Sequence, residues 1–235
     1  MSESSRSGLL PIESALSSEA TSNSDYEALL AQHQQRLAAL GTTGDHMEQA
    51  RIQLDIAEVL IALARREDAW SFARSALDTC LREEQWQDAV EACEVLYQCD
   101  QPASISALGQ GVWLAVTYPV SAQTTVTMLN YIIDETPDNS DGAAVAAAAA
   151  HYIVGLRCQG PERDNIGFLT QAMLGRVANR HSGVEDQTAF EQWLERLALN
   201  EPQEFLPRLA TVVDVLVQDN WWFDRETLRA RLPVN

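Results

Sequence analysis

The fold of this chain is decided by residues 46–98, which read HMEQARIQLDIAEVLIALARREDAWSFARSALDTCLREEQWQDAVEACEVLYQ. Apolar residues recur here at steps of three and four, the spacing that puts side chains on one face of an α-helix. Three such stripes follow one another: Met47, Ala50, Leu54, Ala57, Ile61 and Ala64; Ala69, Phe72, Ala73, Ala76, Leu77 and Cys80; Trp86, Ala89, Val90, Cys93, Leu96 and Tyr97. Only a few residues connect them, so the pattern predicts antiparallel neighbouring helices.

Residues 47–102 resemble tetratricopeptide-type helical hairpins. The bulky and small residues that match the repeat are Ile56, Ala57, Leu60, Ala69, Ala73 and Ala76. Small side chains let two helices approach closely, and bulky ones fill the space between them. Ala73 stands where the repeat carries an aromatic residue, and a second helix start at Glu84–Ala89 breaks the period of about 34 residues. The resemblance therefore implies an irregular tetratricopeptide-like α-solenoid.

Further helical patterns lie on both sides of this region. Residues 25–40 carry one stripe, two helices are expected to flank Pro119, and residues 143–156 form an alanine-rich helix. Others follow around residues 166–177, 190–197 and 205–216, and Asp224 is a suitable N-cap for a short last helix. We predict an all-α fold of about eight or nine antiparallel helices stacked as an irregular helical-hairpin array.

The domain prediction separates a serine-rich segment from one helical domain. Residues 1–24 contain nine Ser and few large apolar side chains, so burial does not offset the entropy cost of ordering them. We predict a disordered tail over 1–24 and a single all-helical domain over 25–235. The apolar stretch Leu9–Ile12 within the tail is either a docking motif or incidental.

The charge composition excludes several classes of protein. The 34 Asp and Glu outnumber 16 basic residues, all of them Arg, and the formal net charge is −18. Without any Lys, a P-loop or a Schiff-base lysine is excluded, and the acidic surface argues against a nucleic-acid partner. The sequence has no secretory signal pattern, and its alanine-rich stretch is too short to span a membrane. Cys80, Cys93, Cys99 and Cys158 show no disulfide or C-x-x-C pattern, so we expect a cytoplasmic protein.

Acidic residues form the first candidate site. No Arg occurs between Glu83 and Leu156, and five acids fall within Glu83–Glu94. Solvent, distant Arg residues or a basic partner must relieve their mutual repulsion. Because Glu84, Asp88 and Glu91 are three and four residues apart, we expect them to share one helix face and to bind a protein partner with a basic surface. A solvated acidic face is the alternative.

Aromatic residues form the second candidate site. Trp221-Trp222-Phe223 precedes Arg225, and Trp and Arg are the residues most enriched at binding hot spots. We assign Trp222 and Arg225 to partner binding. Helical spacing would then bury Trp221 and leave Trp222 accessible. The alternative is that this segment folds back and seals the last helix pair.

The sequence carries no signature of catalysis or metal binding. His33, His46, His151 and His181 form no zinc motif, and the acids around Asp138 fail the EF-hand spacing. No catalytic residue, metal or cofactor is therefore predicted. The favoured function is a non-enzymatic interaction module: an adaptor, scaffold or assembly factor. The alternative is a helical enzyme or cofactor-handling protein with a pocket near His151, Arg157 and Cys158.

Overall fold

The computed structural model describes residues 22–41 and 44–232, and this part of the chain forms eleven α-helices. They are α1 (Asn23–Leu40), α2 (His46–Ala62), α3 (Arg66–Arg82), α4 (Trp86–Gln98), α5 (Ser104–Thr117), α6 (Ala122–Glu135), α7 (Asp141–Arg157), α8 (Gly160–Ser182), α9 (Gln187–Arg196), α10 (Pro202–Val217) and α11 (Arg225–Arg229). The predicted all-α class is confirmed, and the predicted helices on either side of Pro119 are α5 and α6.

The helices form two layers. Each helix packs against the next one along the chain from α1 to α9. In addition, α2 contacts α4, α4 contacts α6, and α6 contacts α8, so these four helices make a continuous layer. The hairpins of this layer begin at residues 46, 86, 122 and 160, an uneven spacing longer than the tetratricopeptide period of about 34 residues. The array of antiparallel hairpins is therefore confirmed as an irregular one.

Small residues position the second layer. Ala69, Ala73 and Ala76 of α3 are fully buried, and the whole run Ala143–Ala150 of α7 is buried because α7 packs against α6, α8 and α10. Helix α10 runs back along the array and packs against α5 as well as α7. A Cβ at Gly109 would lie 2.6 Å from Val217 Cγ2, so only glycine permits this approach of α5 and α10.

Helices α2 and α3 end in the same C-terminal capping arrangement. The N–H of Ala64 (φ 59°) donates to Ile61 C=O, and the N–H of Arg65 donates to Leu60 C=O. Glu84 (φ 54°) repeats this arrangement between α3 and α4. Both are Schellman-type ends in which a non-glycine residue adopts the left-handed conformation. Glu84 therefore lies in a turn before α4, which corrects the expectation that it shares a helix face with Asp88 and Glu91.

Residues 218–232, which we call the strap, fold back across α3 and α5. The ring of Trp222 meets Trp70 edge-on at 5.9 Å between centroids, and Trp221 and Phe223 pack against Trp113. The three adjacent aromatics lie between α10 and α11 and are not helical, so the helical-spacing argument that separated Trp221 from Trp222 is wrong. All three rings are partly buried.

The predicted domain start changes slightly. Ser22 caps α1 through a reciprocal pair of hydrogen bonds with Asp25, so the helix begins two residues before the predicted boundary. The rest of the predicted tail, including Leu9–Ile12, lies outside the described residues. Within the described ranges, no helix has both the length and the apolar character that a membrane crossing requires.

Candidate functional site

The even-helix face is the exposed side of α2, α4, α6 and α8. Hydrogen bonds and ring contacts between side chains link neighbouring helices of this face. Gln87 of α4 donates to Thr124 of α6 at 2.8 Å, and the Tyr131 hydroxyl of α6 donates to Glu94 of α4 at 2.9 Å. The rings of Tyr97 and Tyr131 lie 4.9 Å apart between centroids. These contacts hold α4 and α6 in register and fix the carboxylates between them.

Helices α2 and α4 pack together, and the charges of Glu91 and Glu94 of α4 act on Glu58 of α2; we call these three carboxylates the acidic centre. Desolvation raises the pKa of Glu58, and the charges of Asp55, Glu91 and Glu94 raise it further. Desolvation also raises the pKa of Glu94, although the hydrogen bond from Tyr131 opposes this. Ionisation is therefore costly here, and a cation placed over the centre would reduce that cost.

The structure separates the three acids that the sequence grouped together. Glu84 accepts a 2.8 Å hydrogen bond from Arg231 of the strap. Asp88 accepts from Arg51 Nε at 3.0 Å and from its Nη2 at 3.3 Å, and only 15% of its side chain is exposed. Distant Arg residues thus neutralise two of the three acids. Glu91 belongs to the acidic centre, and its partner-binding role stays a prediction.

Glu58 was missed by the sequence reasoning, which followed charge density along the chain, and Glu94 was counted in the acidic stretch Glu83–Glu94 but not assigned to partner binding. Glu58 lies outside the stretch that lacks Arg, and nothing in its local sequence sets it apart. Successive hairpins pack α2 against α4, and this packing brings Glu58 under the electrostatic influence of Glu91 and Glu94. The useful signal was therefore the repeat geometry, because it joins residues that are distant in sequence.

The opposite end of the even-helix face has a different character. Arg176 of α8 donates to the Asn130 side chain at 2.9 Å, and Arg180 donates to the Ile133 carbonyl at 3.0 Å. Desolvation raises the pKa of Asp134, and the two arginines oppose this. Phe168 of α8 is 71% exposed. Helix α8 thus adds an exposed Arg176 and an exposed Phe168 at this end of the array.

The two predicted partner-binding residues of the strap are held by contacts within the chain. The guanidinium of Arg74 lies 4.6 Å from the centre of the Trp222 ring. Arg225 lies 3.9 Å from the centre of the Trp221 ring and donates to Asp214 at 2.7 Å. Both residues fasten the strap to the helices beneath it. Their role toward a partner stays a prediction.

The three residues of the predicted pocket do not converge. His151 Nδ1 lies 2.9 Å from Thr170 Oγ1 of α8, and Cys158 is buried with 2% of its surface exposed. Desolvation lowers the pKa of His151 and raises that of Cys158. The guanidinium of Arg157 points into the connection between α5 and α6. The small side chains of α7 thus serve close helix packing at this place.

Arg157 closes the end of α5. Its acceptors are the carbonyl oxygens of Ala115, Val116, Tyr118 and Val120 and the Thr125 hydroxyl, at 2.8–3.4 Å. The last carbonyls of a helix lack partners within the helix, and a guanidinium can satisfy several at once. Desolvation lowers the pKa of Arg157, but the group keeps its charge. Arg157 is therefore a structural clamp between α7 and the α5–α6 connection.

A cleft of about 480 Å³ opens beside the α4–α5 turn, where Tyr97, Arg66, Asp100 and Glu135 contribute to its walls. Arg66 and Asp100 form an ion pair at 3.0 Å across it. Among the residues the structure describes, no three His, Cys, Asp or Glu side chains are placed to hold a metal ion. No family model, curated protein or solved structure matches this chain.

Proposed function

We propose that this protein is a non-enzymatic interaction module, an adaptor, scaffold or assembly factor whose even-helix face binds a protein partner through a basic segment. The acidic centre supports this proposal, because α2 packs against α4 and the charges of Glu91 and Glu94 contribute to the raised pKa of Glu58. The first helices of successive hairpins supply this face. That layout supports the tetratricopeptide-type interpretation, in which a solenoid presents an extended surface to a partner.

A cationic side chain fits the acidic centre on physical grounds. An Arg or Lys placed between the carboxylates of α2 and α4 would relieve their repulsion and favour their ionised forms. Tyr131 donates to Glu94 and its ring contacts that of Tyr97, and an aromatic face attracts a cation that carboxylates already hold nearby. With its net charge of −18, the protein would also speed the approach of a basic partner.

The charge and apolarity of the exposed side chains differ between the two ends of the face, and this difference sets the orientation of the partner. A basic stretch of the partner lies over α2 and α4, and an apolar side chain covers Phe168 on α8. Arg176 repels the partner's basic stretch from α8, whereas Arg180 is paired with Asp138 at 3.4 Å, so reversed binding is disfavoured. The partner segment is therefore both basic and apolar, with the two properties separated along its length.

The experiment is affinity capture from the native host with mass spectrometry, followed by titration of an Arg-rich peptide as a defined probe. Three forms are compared. The face variant carries Glu58→Gln, Glu91→Gln and Glu94→Gln. The control variant carries Glu67→Gln on α3, Glu185→Gln between α8 and α9, and Glu195→Gln on α9, all at exposed positions. Both variants lose the same charge.

We expect the face variant to bind the probe about tenfold or more weakly than wild type and to lose most of the salt dependence. The control variant should stay within about threefold of wild type, because remote exposed charges act through the net field alone. Equal weakening in both variants would show that the probe senses net charge only. That result would refute the assignment of the even-helix face.

A further inference from the structure

The strap is held by residues that are far from it in sequence. Asn220 C=O accepts a 3.2 Å hydrogen bond from Ser106, and the Tyr118 hydroxyl donates to Leu228 C=O at 3.0 Å. Arg229 lies 5.6 Å from the centre of the Trp113 ring. The surface of α3 and α5 beneath the strap, which we call the strap groove, is thus a complete binding site for a peptide of this sequence.

The connection between α10 and the aromatic residues of the strap is short and strained. Only residues 218–220 separate the last residue of α10, Val217, from Trp221. Gln218 has φ 54° and ψ −132°, a combination that glycine adopts readily and that other residues adopt only under backbone strain. Unlike Ala64 and Glu84, Gln218 therefore does not lie in the ordinary left-handed helical region.

We propose that the strap exchanges between two copies of this chain, giving a dimer in which each strap groove holds the strap of the other copy. The contacts in the groove are the same in both forms, because the groove and the strap have the same sequences. The monomer and the exchanged dimer differ in two respects. In the dimer, Gln218 in the hinge (residues 218–220) adopts an extended backbone and loses its strain, and formation of the dimer carries the entropy cost of association. Strain in a short hinge is the condition that favours such an exchange.

The hinge provides a pair of opposed variants, since both leave the contacts of residues 220–232 in place. Gln218→Pro additionally removes the 2.7 Å hydrogen bond from the Gln218 N–H to Asp214 C=O. Gln218→Gly removes the backbone strain from the monomer, in which the strap lies in the groove of its own chain. The monomer is then favoured, and the dissociation constant of the dimer should rise about tenfold or more. Gln218→Pro cannot adopt a positive φ and should strengthen the dimer by a similar factor. Size-exclusion chromatography with light scattering measures the dissociation constant from micromolar to millimolar protein. About 0.5 M NaCl screens the repulsion between two acidic chains.

Cross-linking separates an exchanged dimer from an ordinary one. Arg231 of the strap and Glu84 of the α3–α4 turn are paired at 2.8 Å, and the four native cysteines are buried. Chains with Glu84→Cys are mixed with chains carrying Arg231→Cys and treated with a short bis-maleimide at high concentration. An exchanged dimer yields a covalent pair of the two different chains, and neither variant alone does so.

Each outcome decides the proposal. A dimer that is weakened by Gln218→Gly, strengthened by Gln218→Pro and cross-linked between unlike chains supports it. Three findings would each overturn it: a Gln218→Pro protein with native circular dichroism that stays monomeric at millimolar concentration, a dissociation constant unaffected by either substitution, or a dimer without the unlike-chain cross-link. The expression and thermal midpoint of Gln218→Pro are measured first, so that a folding defect is distinguished from a monomer.

Discussion

The side-chain oxygen of Gln110 accepts a 2.8 Å hydrogen bond from the backbone N–H of Trp222, 112 residues further along the chain. Gln110 has no exposed surface, and its amide nitrogen donates to Ser106 and to Asn220 C=O at 3.3 and 3.4 Å. A buried amide that donates and accepts in this way specifies one position of the strap, because any shift would leave polar groups without partners.

Replacement of Gln110 tests this anchor. Gln110→Ala leaves the Trp222 N–H without its acceptor and should lower the free energy of unfolding by about 2–4 kcal/mol. Gln123→Ala, on an exposed position of α6, is the control and should change it by less than about 0.5 kcal/mol. Urea unfolding followed by circular dichroism measures both. Equal effects of the two substitutions would show that Gln110 does not hold the strap.

The two tryptophans of the strap should behave alike. Trp221 and Trp222 are both partly buried, so Trp221→Ala and Trp222→Ala should each cost about 1.5–3 kcal/mol, less than the loss of a fully buried ring. Denaturant unfolding of the two variants gives the comparison. A Trp222→Ala protein as stable as wild type would instead restore the hypothesis that this ring is free for a partner.

The Arg157 clamp gives a prediction that separates charge from geometry. Arg157→Lys keeps the charge, but an ammonium group cannot reach the same set of carbonyls as a planar guanidinium. We expect a loss of about 2 kcal/mol in unfolding free energy from Arg157→Lys. Arg163→Lys, an exposed position on α8, serves as the control. Thermal and urea unfolding both report the difference. If Arg157→Lys leaves the unfolding free energy unchanged, a positive charge alone is enough to stabilise the α5–α6 connection.

The acidic centre predicts a pH dependence of stability. The raised pKa of Glu58 means that the native state keeps a proton at pH values where the unfolded chain has lost it. Stability therefore falls as the pH rises from the ordinary carboxyl range through the raised pKa. Glu58→Gln removes this cost, so the variant should be more stable than wild type at pH 7 and nearly equal to it at pH 4. The gain should shrink in high salt.

Unfolding curves at both pH values test the effect, and Glu185→Gln, at an exposed loop position, is the charge-matched control. A stability gain of the same size at pH 4 and pH 7 would argue against repulsion between ionised carboxylates. A loss of stability at pH 7 would show that Glu58 makes a favourable contact instead.

The helices followed from the sequence because their apolar stripes are local and regular. The stripe of α3, for example, becomes the buried set Ala69, Ala73 and Ala76. The course of α10 and of the strap did not follow, because it depends on contacts between residues about a hundred positions apart. The pairs Gln110 with Trp222 and Arg231 with Glu84 leave no local pattern in the sequence.

The candidate site was predicted only in part, for the same reason. The absence of Arg over residues 83–156 drew attention to α4, and Glu91 belongs to the acidic centre. Local charge counting could not foresee that Arg51 reaches Asp88 from α2, or that Glu58 joins the centre from the same helix. Packing of neighbouring hairpins brings these groups together.

The measurement that tests the central claim most directly is amide hydrogen exchange of the wild-type protein, alone and with a saturating Arg-rich peptide. If the even-helix face binds the basic segment, exchange should slow in α2 and α4 and stay unchanged in the strap, residues 218–232. Protection confined to the strap or to α9 and α10, with α2 and α4 unaffected, would contradict the assignment of the binding face.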